Sequence, residues 1–318
     1  MTVVIAGHVT HDRYDEDLVA GGCAFYGAHV HAGLGAHVRL VAGVGEDFAC
    51  DHALTGIERR VRRAGQTTRF TNRYPAGGPR VQQIDAQAPA LSPELVPAAW
   101  QGADLLHLAP VMEEIDLVAW VRGTRARFVG IGLQGWVKTA GPGSTVVQRP
   151  WQIDAAALAG VHAACVGEED LIDQGDLLDR LVAAVPVVAL THGRAGCEVI
   201  ERGRTTWVGV HPAREVDPTG AGDAFAAGFL LALAGGEPAP RAARLGAAAA
   251  SIVIEGRGGE ALGRIGEARG RAGTIPVGAV PAAPATVASA GSAALRRGGP
   301  ADPPERVAGQ ARPARGAW

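Results

Sequence analysis

Short, continuous apolar runs recur along the chain, each closing on glycine or a polar cluster, and Ala- and Leu-rich stretches lie between them. Val3-Val4-Ile5-Ala6-Gly7 does not alternate with polar residues, which predicts a strand buried on both faces of a parallel sheet. Val38 to Val44, Asp104 to Ala109, Phe128 to Gly132 and Val185 to Thr191 read the same way. Ala224 to Ala234 and Arg241 to Ile254 are helix-forming and rich in small residues. Strands in alternation with helices, each strand followed by Gly or polar residues, predict a doubly wound α/β sandwich. One stretch breaks the pattern. Thr67, Thr68, Phe70, Tyr74, Arg80, Val81, Gln82 and Ile84 alternate around Pro75 to Pro79, which predicts an antiparallel hairpin over about 66–84, a small β-sheet lid set into the α/β chain.

The periodicity fades after residue 270, and 271–318 is dominated by Pro, Gly, Ala and Arg, so a domain over 1–270 followed by a disordered tail is expected. No internal repeat or linker divides the first part. A chain of 318 residues can bury a sizeable core. Its net charge of −2 and pI near 6.6 give no electrostatic case for nucleic acid or an anionic membrane. Met1 to Thr10 has neither the basic start nor the cleavage site of a secretion signal, and the apolar runs are too short to span a bilayer. Cys23, Cys50, Cys165 and Cys197 are widely spaced with no CxxC pair, which fits reduced thiols in a cytoplasmic protein.

Lys138 is the only lysine, which excludes a Walker-type phosphate loop; phosphates would have to be held by amides, Arg and metal. Asp217-Pro218-Thr219-Gly220-Ala221-Gly222-Asp223 supplies such amides. It is a glycine-rich turn running into an apolar helix, and the first amides of a helix have no intrahelical partner. Asp223 would sit in the first helical turn, where the dipole favours an ionised carboxylate. A carboxylate beside an anion hole made of Gly220, Ala221, Gly222 and Asp223 amides is the equipment for phosphoryl transfer to an alcohol: a base for the hydroxyl proton and donors for the developing charge.

This heptapeptide resembles the C-terminal signature of the ribokinase or PfkB family of carbohydrate kinases, Asp, any residue, then Thr-Gly-Ala-Gly-Asp, and matches it at every position. The resemblance implies ATP as donor, Mg²⁺, a monovalent cation as an option, and a small sugar, polyol or nucleoside acceptor. It implies Thr219, Gly220 and Gly222 near the nucleotide, together with Thr191, Gly193 and Arg194 of the Thr-x-Gly segment and Gly256 of the loop after the Ala-rich helix. On the acceptor side it implies Asp12, Gly21 and Gly22. Tyr26 stands where ribokinases carry a ribose-contacting Asn. A strand bearing His107 and a later Gln134-Gly135-Trp136 resemble the branch that includes myo-inositol kinases, and make His107 and Gln134 acceptor candidates. Glu168, Glu169 and Asp170 lie where the family has an Asn-x-x-Glu motif that organises metal and phosphate, with Gly167 in place of the Asn and Asp170 in place of the Glu. A homodimer formed through the lid is a further family option.

The expected activity is therefore ATP-dependent phosphorylation of a sugar, polyol or nucleoside hydroxyl, with Asp223 as base. Two other classes remain open. The changed Asn-x-x-Glu and ribose-Asn positions admit a non-catalytic sugar or nucleotide sensor. A dinucleotide-dependent oxidoreductase shares the layering, although Gly43 and Gly45 lack the third glycine of its fingerprint.

Overall fold

Thr2–Ala6, the first apolar run, lies inside a ten-stranded sheet, and its alternate side chains enter two different cores. The computed structural model describes residues 1–14, 17–73 and 81–279. From one edge the sheet runs Val277–Gly278, Arg204–Val208, Cys197–Glu201, Val187–Thr191, Ala163–Gly167, Ala126–Gly132, Ala103–Leu108, Thr2–Ala6, His37–Gly45 and Glu58–Ala64. Neighbours from Glu58–Ala64 through Val187–Thr191 are parallel; the other three strands pair antiparallel. Such a sheet needs cover on both faces. Val3 and Ile5 point into the core shared with helices α1 (Cys23–Gly33), α4 (Ala221–Ala234) and α5 (Ala239–Val253); Val4 and Ala6 point into the core of α2 (Leu117–Gly123) and α3 (Leu177–Ala184).

Helix α4 is apolar on all sides because it is enclosed, with Ala224 to Ala232 all buried. Its contact with α5 depends on two glycines. A Cβ on Gly246 would come within 2.6 Å of the Phe225 carbonyl, and one on Gly228 within 3.0 Å of the Gly246 Cα. The bare surfaces let the helices approach at backbone distance, which fixes where the N-terminus of α4 emerges.

The lid is a second, four-stranded sheet in the order Asp17–Gly21, Thr10–Tyr14, Arg69–Arg73, Val81–Ala86. The expected hairpin is its outer half, with Phe70 opposite Ile84 and Asn72 opposite Gln82; the turn expected at Pro75 to Pro79 lies outside the described residues. Thr10–Tyr14 pairs antiparallel with Asp17–Gly21 and parallel with Arg69–Arg73. Four of its five residues are polar or charged apart from the aromatic Tyr14, so no apolar alternation marks it.

The described body also continues past the expected boundary at residue 270. Short helix α6 (Ala268–Ala272) carries Arg271, whose guanidinium bonds Glu255 at 2.9 Å and 3.1 Å; Ile275 is buried, and Val277–Gly278 extends the sheet edge. Proline at 276 caps this edge rather than starting a tail. The rest of the expected tail, 280–318, lies outside the described residues. No described helix is long and apolar enough to cross a membrane.

Candidate active site

Two helices open onto one small cavity. Helix α1 begins after Gly22 (φ 93°) and α4 after Gly220 (φ 81°), and neither has a side-chain cap; of the expected anion-hole amides, that of Ala221 is taken by the Pro218 carbonyl at 3.1 Å. At Gly220 the left-handed backbone and the neighbourhood agree: a Cβ would meet the Tyr26 ring at 2.5 Å. The cavity, about 60 Å³, is lined by Thr10, Asp12, Asn72, Gln82, Gln134 and Asp223 among its polar side chains. Gly22 and Gly220 give it bare backbone, and Cys23, Tyr26, Phe70 and Val111 its less polar walls.

The Asp223 carboxylate is in the first turn of α4. Burial, followed by the charge of Asp223 and a hydrogen bond to it, pushes the Cys23 thiol well up, so this cysteine is a neutral donor to the carboxylate. Gln134 in turn approaches the Cys23 sulfur through Nε2 at 3.8 Å. Asp12 accepts from the Thr10 hydroxyl at 2.9 Å, and Gly21, opposite Thr10 on the next strand, has no Cβ because one would overlap the Asp12 carboxylate.

Asp217 organises the other end of the turn. Its carboxylate accepts from the Thr219 amide at 2.9 Å, the Gly258 amide at 3.0 Å and the Tyr14 hydroxyl at 2.9 Å. Burial would raise this carboxyl, but hydrogen bonds from Thr219, Gly258 and Tyr14 outweigh it and hold it below the ordinary range. Arg257 lies over the Tyr14 ring at 4.6 Å and donates to its carbonyl at 3.4 Å.

A larger cavity of about 330 Å³ lies against the same turn. Pro218, Ala221 and Gly222 line it from the turn, and Thr191, Gly193 and Arg194 line it from the strand-turn segment. Val210, Pro212, Ala213, Phe225, Ala250 and Ile254 make much of it apolar. Arg194 reaches it with its charge engaged, paired with Glu215 at 2.9 Å. Residues 218–223 thus separate the two cavities, with Thr219, Gly220 and Asp223 facing one and Pro218, Ala221 and Gly222 the other.

Four groups of expected residues stand apart from the cavity expected for them. His107 is a core residue, 1% exposed, bonded through Nδ1 to His31 Nε2 at 3.1 Å and packed behind Gly27 of α1. It lines neither cavity, because its position on Ala103–Leu108 faces α1 rather than the strand end. Gly256 packs on Ala261 and Glu260 and does not line the larger cavity. Thr219 faces the smaller cavity, not the larger. Glu168, Glu169 and Asp170 do not converge: Glu168 pairs with His192 at 2.8 Å, Asp170 accepts the Gly167 amide at 3.1 Å, and among the described residues no group of three His, Cys, Asp or Glu could hold a metal ion. They form the acidic first turn of a short helix instead.

Residues that sequence reasoning passed over also meet here. Tyr14 and Arg257 secure Asp217, and Asn72 and Gln82, joined at 3.1 Å, line the smaller cavity from the lid. Polar residues at paired positions of an otherwise alternating hairpin were the available signal for the last two.

Residues 154–262 match the family described as pfkB family carbohydrate kinase. The fold is that of solved kinases of the ribokinase family: a pyrophosphate-dependent member, complexed with a pyrophosphate analog and myo-inositol, aligns with TM-score 0.68 at 19% identity over 80% of this chain and 96% of that one. The fold is thus of the ribokinase type, and residues 154–262 are similar to the PfkB family. Among curated relatives, the 5-dehydro-2-deoxygluconokinase of Geobacillus thermodenitrificans (strain NG80-2) is 46% identical over 69 residues, 21% of this chain and 20% of that protein. The match thus spans about a fifth of that relative's length. The cytidine kinase of Thermococcus kodakarensis (strain ATCC BAA-918 / JCM 12380 / KOD1) is 25% identical, over 80% of this chain and 96% of its own. The family-matched segment contains the whole turn from Asp217 to Asp223 and both helices α4 and α5.

Proposed function

We propose that the chain is an ATP-dependent kinase that transfers the γ-phosphate to a hydroxyl of a sugar, polyol or nucleoside. The observation that carries the reading is the position of residues 218–223 between two cavities, so that one helix opening borders both. The acceptor occupies the smaller, polar cavity and the donor the larger one. A nucleoside triphosphate suits the donor side better than bare pyrophosphate, since Val210, Phe225, Ala250 and Ile254 offer apolar surface to a base.

Asp223 takes the proton as the acceptor oxygen attacks the γ-phosphorus. The bond from that phosphorus to the β–γ bridging oxygen breaks, and ADP leaves with the electron pair. The amides of Gly220, Gly222 and Asp223 donate to the transferring group at the α4 N-terminus, while that of Ala221 is held by the Pro218 carbonyl. The acids at 168–170 do not converge on one point, so a divalent ion would be carried chiefly by the donor's own phosphates. Asp12 and Gln134 orient the acceptor.

ADP release is measured across inositols, pentoses, hexoses, sugar acids and nucleosides, with the Asp223→Asn variant beside the parent. The parent turns over at least one acceptor, and the variant loses about 10²–10⁴-fold in kcat while ATP affinity changes little. Equal turnover by the variant, or acceptor binding with no ADP release across the whole panel, would defeat the proposal.

A further inference from the structure

We infer that Glu114 is a positioning residue for the acceptor: its buried carboxylate fixes the loop that carries Val111, and that wall sets how tightly the smaller cavity grips its ligand. The inference rests on the kinase reading only for which cavity takes the acceptor. Glu114 is 1% exposed, and its carboxylate accepts from three backbone amides, those of His8 at 2.9 Å, Val111 at 2.9 Å and 3.1 Å, and Met112 at 2.8 Å. His8 lies just past strand Thr2–Ala6, and Val111 and Met112 lie just past its parallel neighbour Ala103–Leu108. One side chain thus ties together the carboxyl ends of two adjacent strands, where open α/β sheets take their ligands. Removing a carboxylate from water is costly, and charge-assisted bonds from the amides offset that cost only while each N–H keeps its direction. The loop is therefore held in one conformation.

The rest of the loop is under the same constraint. Glu113 has φ 56°, a left-handed backbone that a non-glycine residue adopts at a cost, and strain of this kind collects at functional sites. It is kept there from both sides: its amide donates to the Gly135 carbonyl at 2.8 Å, its carboxylate accepts from the Thr139 hydroxyl at 2.9 Å, and Arg149 pairs with the same carboxylate. A Cβ on Gly135 would lie 2.4 Å from the Pro110 backbone, so the segment carrying Gln134 packs directly on the one carrying Val111. Val111 and Gln134 both line the smaller cavity, whereas Glu114 is in the described lining of neither cavity and acts through Val111. With only about 60 Å³ to fill, a small displacement of this wall changes the fit of any ligand.

Isothermal titration calorimetry reads binding without requiring turnover. The full chain is titrated with ADP as donor probe and with myo-inositol, D-ribose and cytidine as acceptor probes. In Glu114→Gln, either placement of the side-chain nitrogen turns a donor toward the His8 or the Met112 amide, which loosens the loop. The variant weakens the acceptor probe that the parent binds most tightly by about 10-fold and leaves ADP within about 2-fold, a split that a general loss of structure would not give. Val111→Ala weakens the same probe, and the double variant falls short of the product of the two single changes because both act on one wall. Equal loss of ADP and acceptor affinity in Glu114→Gln, unchanged acceptor affinity in either single variant, or strictly multiplicative changes in the double variant would overturn the inference. Val111→Ala decides alone where Glu114→Gln does not fold. Failure of every acceptor probe to bind the parent would remove the acceptor from this cavity and overturn the inference as well. The expected binding changes in a chain that releases no ADP would leave it standing and refute the kinase reading instead.

Discussion

Tyr14 and Asp217 are joined by a 2.9 Å hydrogen bond between the end of a lid strand and the start of the turn that leads into α4. Because Asp217 also accepts the Thr219 and Gly258 amides, one carboxylate ties the lid to the proposed anion hole. Loss of the Tyr14 hydroxyl in Tyr14→Phe should cost about 0.5–1.5 kcal/mol, and Asp217→Ala, which strands three donors, should cost more, about 1–3 kcal/mol or above. The Asp217 carboxyl is held below its ordinary value of 3.8, so its stabilisation is present at neutral pH and is lost as the pH falls through the folded-state value. Urea unfolding at pH 7 checks the costs, and the gap between parent and Asp217→Asn should narrow on acidification below 3.8.

Gly220 and Gly222 are two residues apart and should respond oppositely to the same substitution. Gly220→Ala places a methyl 2.5 Å from the Tyr26 ring at φ 81°, a conformation that costs a non-glycine residue on the order of 1–3 kcal/mol before the clash is counted. A Cβ on Gly222 meets nothing within 4 Å and sits in a helical turn, so Gly222→Ala should hold or raise stability. It does, however, project toward the larger cavity, proposed for the donor, and should raise the KM for ATP. Thermal melts together with ATP-dependence curves separate the two. A destabilised Gly222→Ala would contradict the placement of the turn.

The parallel sheet was legible because its strands are continuous apolar runs, and the turn from Asp217 to Asp223 because its glycines and acids are adjacent in sequence. What escaped depends on long-range pairing. Thr10–Tyr14 is polar, and becomes a strand only because Arg69–Arg73 lies beside it. Thr219 faces the smaller cavity, with Asp217 folded back on its amide, a bond that motif spacing does not express. His107 looked like a ligand at a strand end, yet the side of the strand it occupies is decided by α1 packing on that face. The acids at 168–170 have the composition of a metal site, and their divergent partners, His192 and the Gly167 amide, are not expressed in the sequence.

Those divergent partners make a prediction about metal dependence. Glu168 and Glu169 are exposed, and Glu168 is engaged with His192, so neither is placed to hold a hydrated ion between them. Glu168→Gln and Glu169→Gln should leave the Mg²⁺ concentration for half-maximal ADP release unchanged, and their surface position limits the stability cost to about 0–1 kcal/mol. A clear rightward shift of the Mg²⁺ curve in either variant would return these acids to the site.

The pair His31 and His107 should make the protein acid-sensitive without touching the acceptor. Both rings are fully enclosed, edge to face at 5.3 Å. Burial pushes the His107 imidazole down to about 3, and burial followed by its neighbour pushes His31 well below 6.5. Between those values and 6.5 the unfolded chain binds protons that the folded one refuses, so stability is complete above about 6.5 and falls as the pH drops below it, by up to about 1.4 kcal/mol per pH unit for each histidine. His107→Leu removes one of the two groups and should flatten that fall in urea unfolding between pH 7 and pH 4. Its acceptor KM should match the parent's, because the side chain lies behind α1 and outside the cavity. A raised acceptor KM with parental stability would place His107 in the site after all.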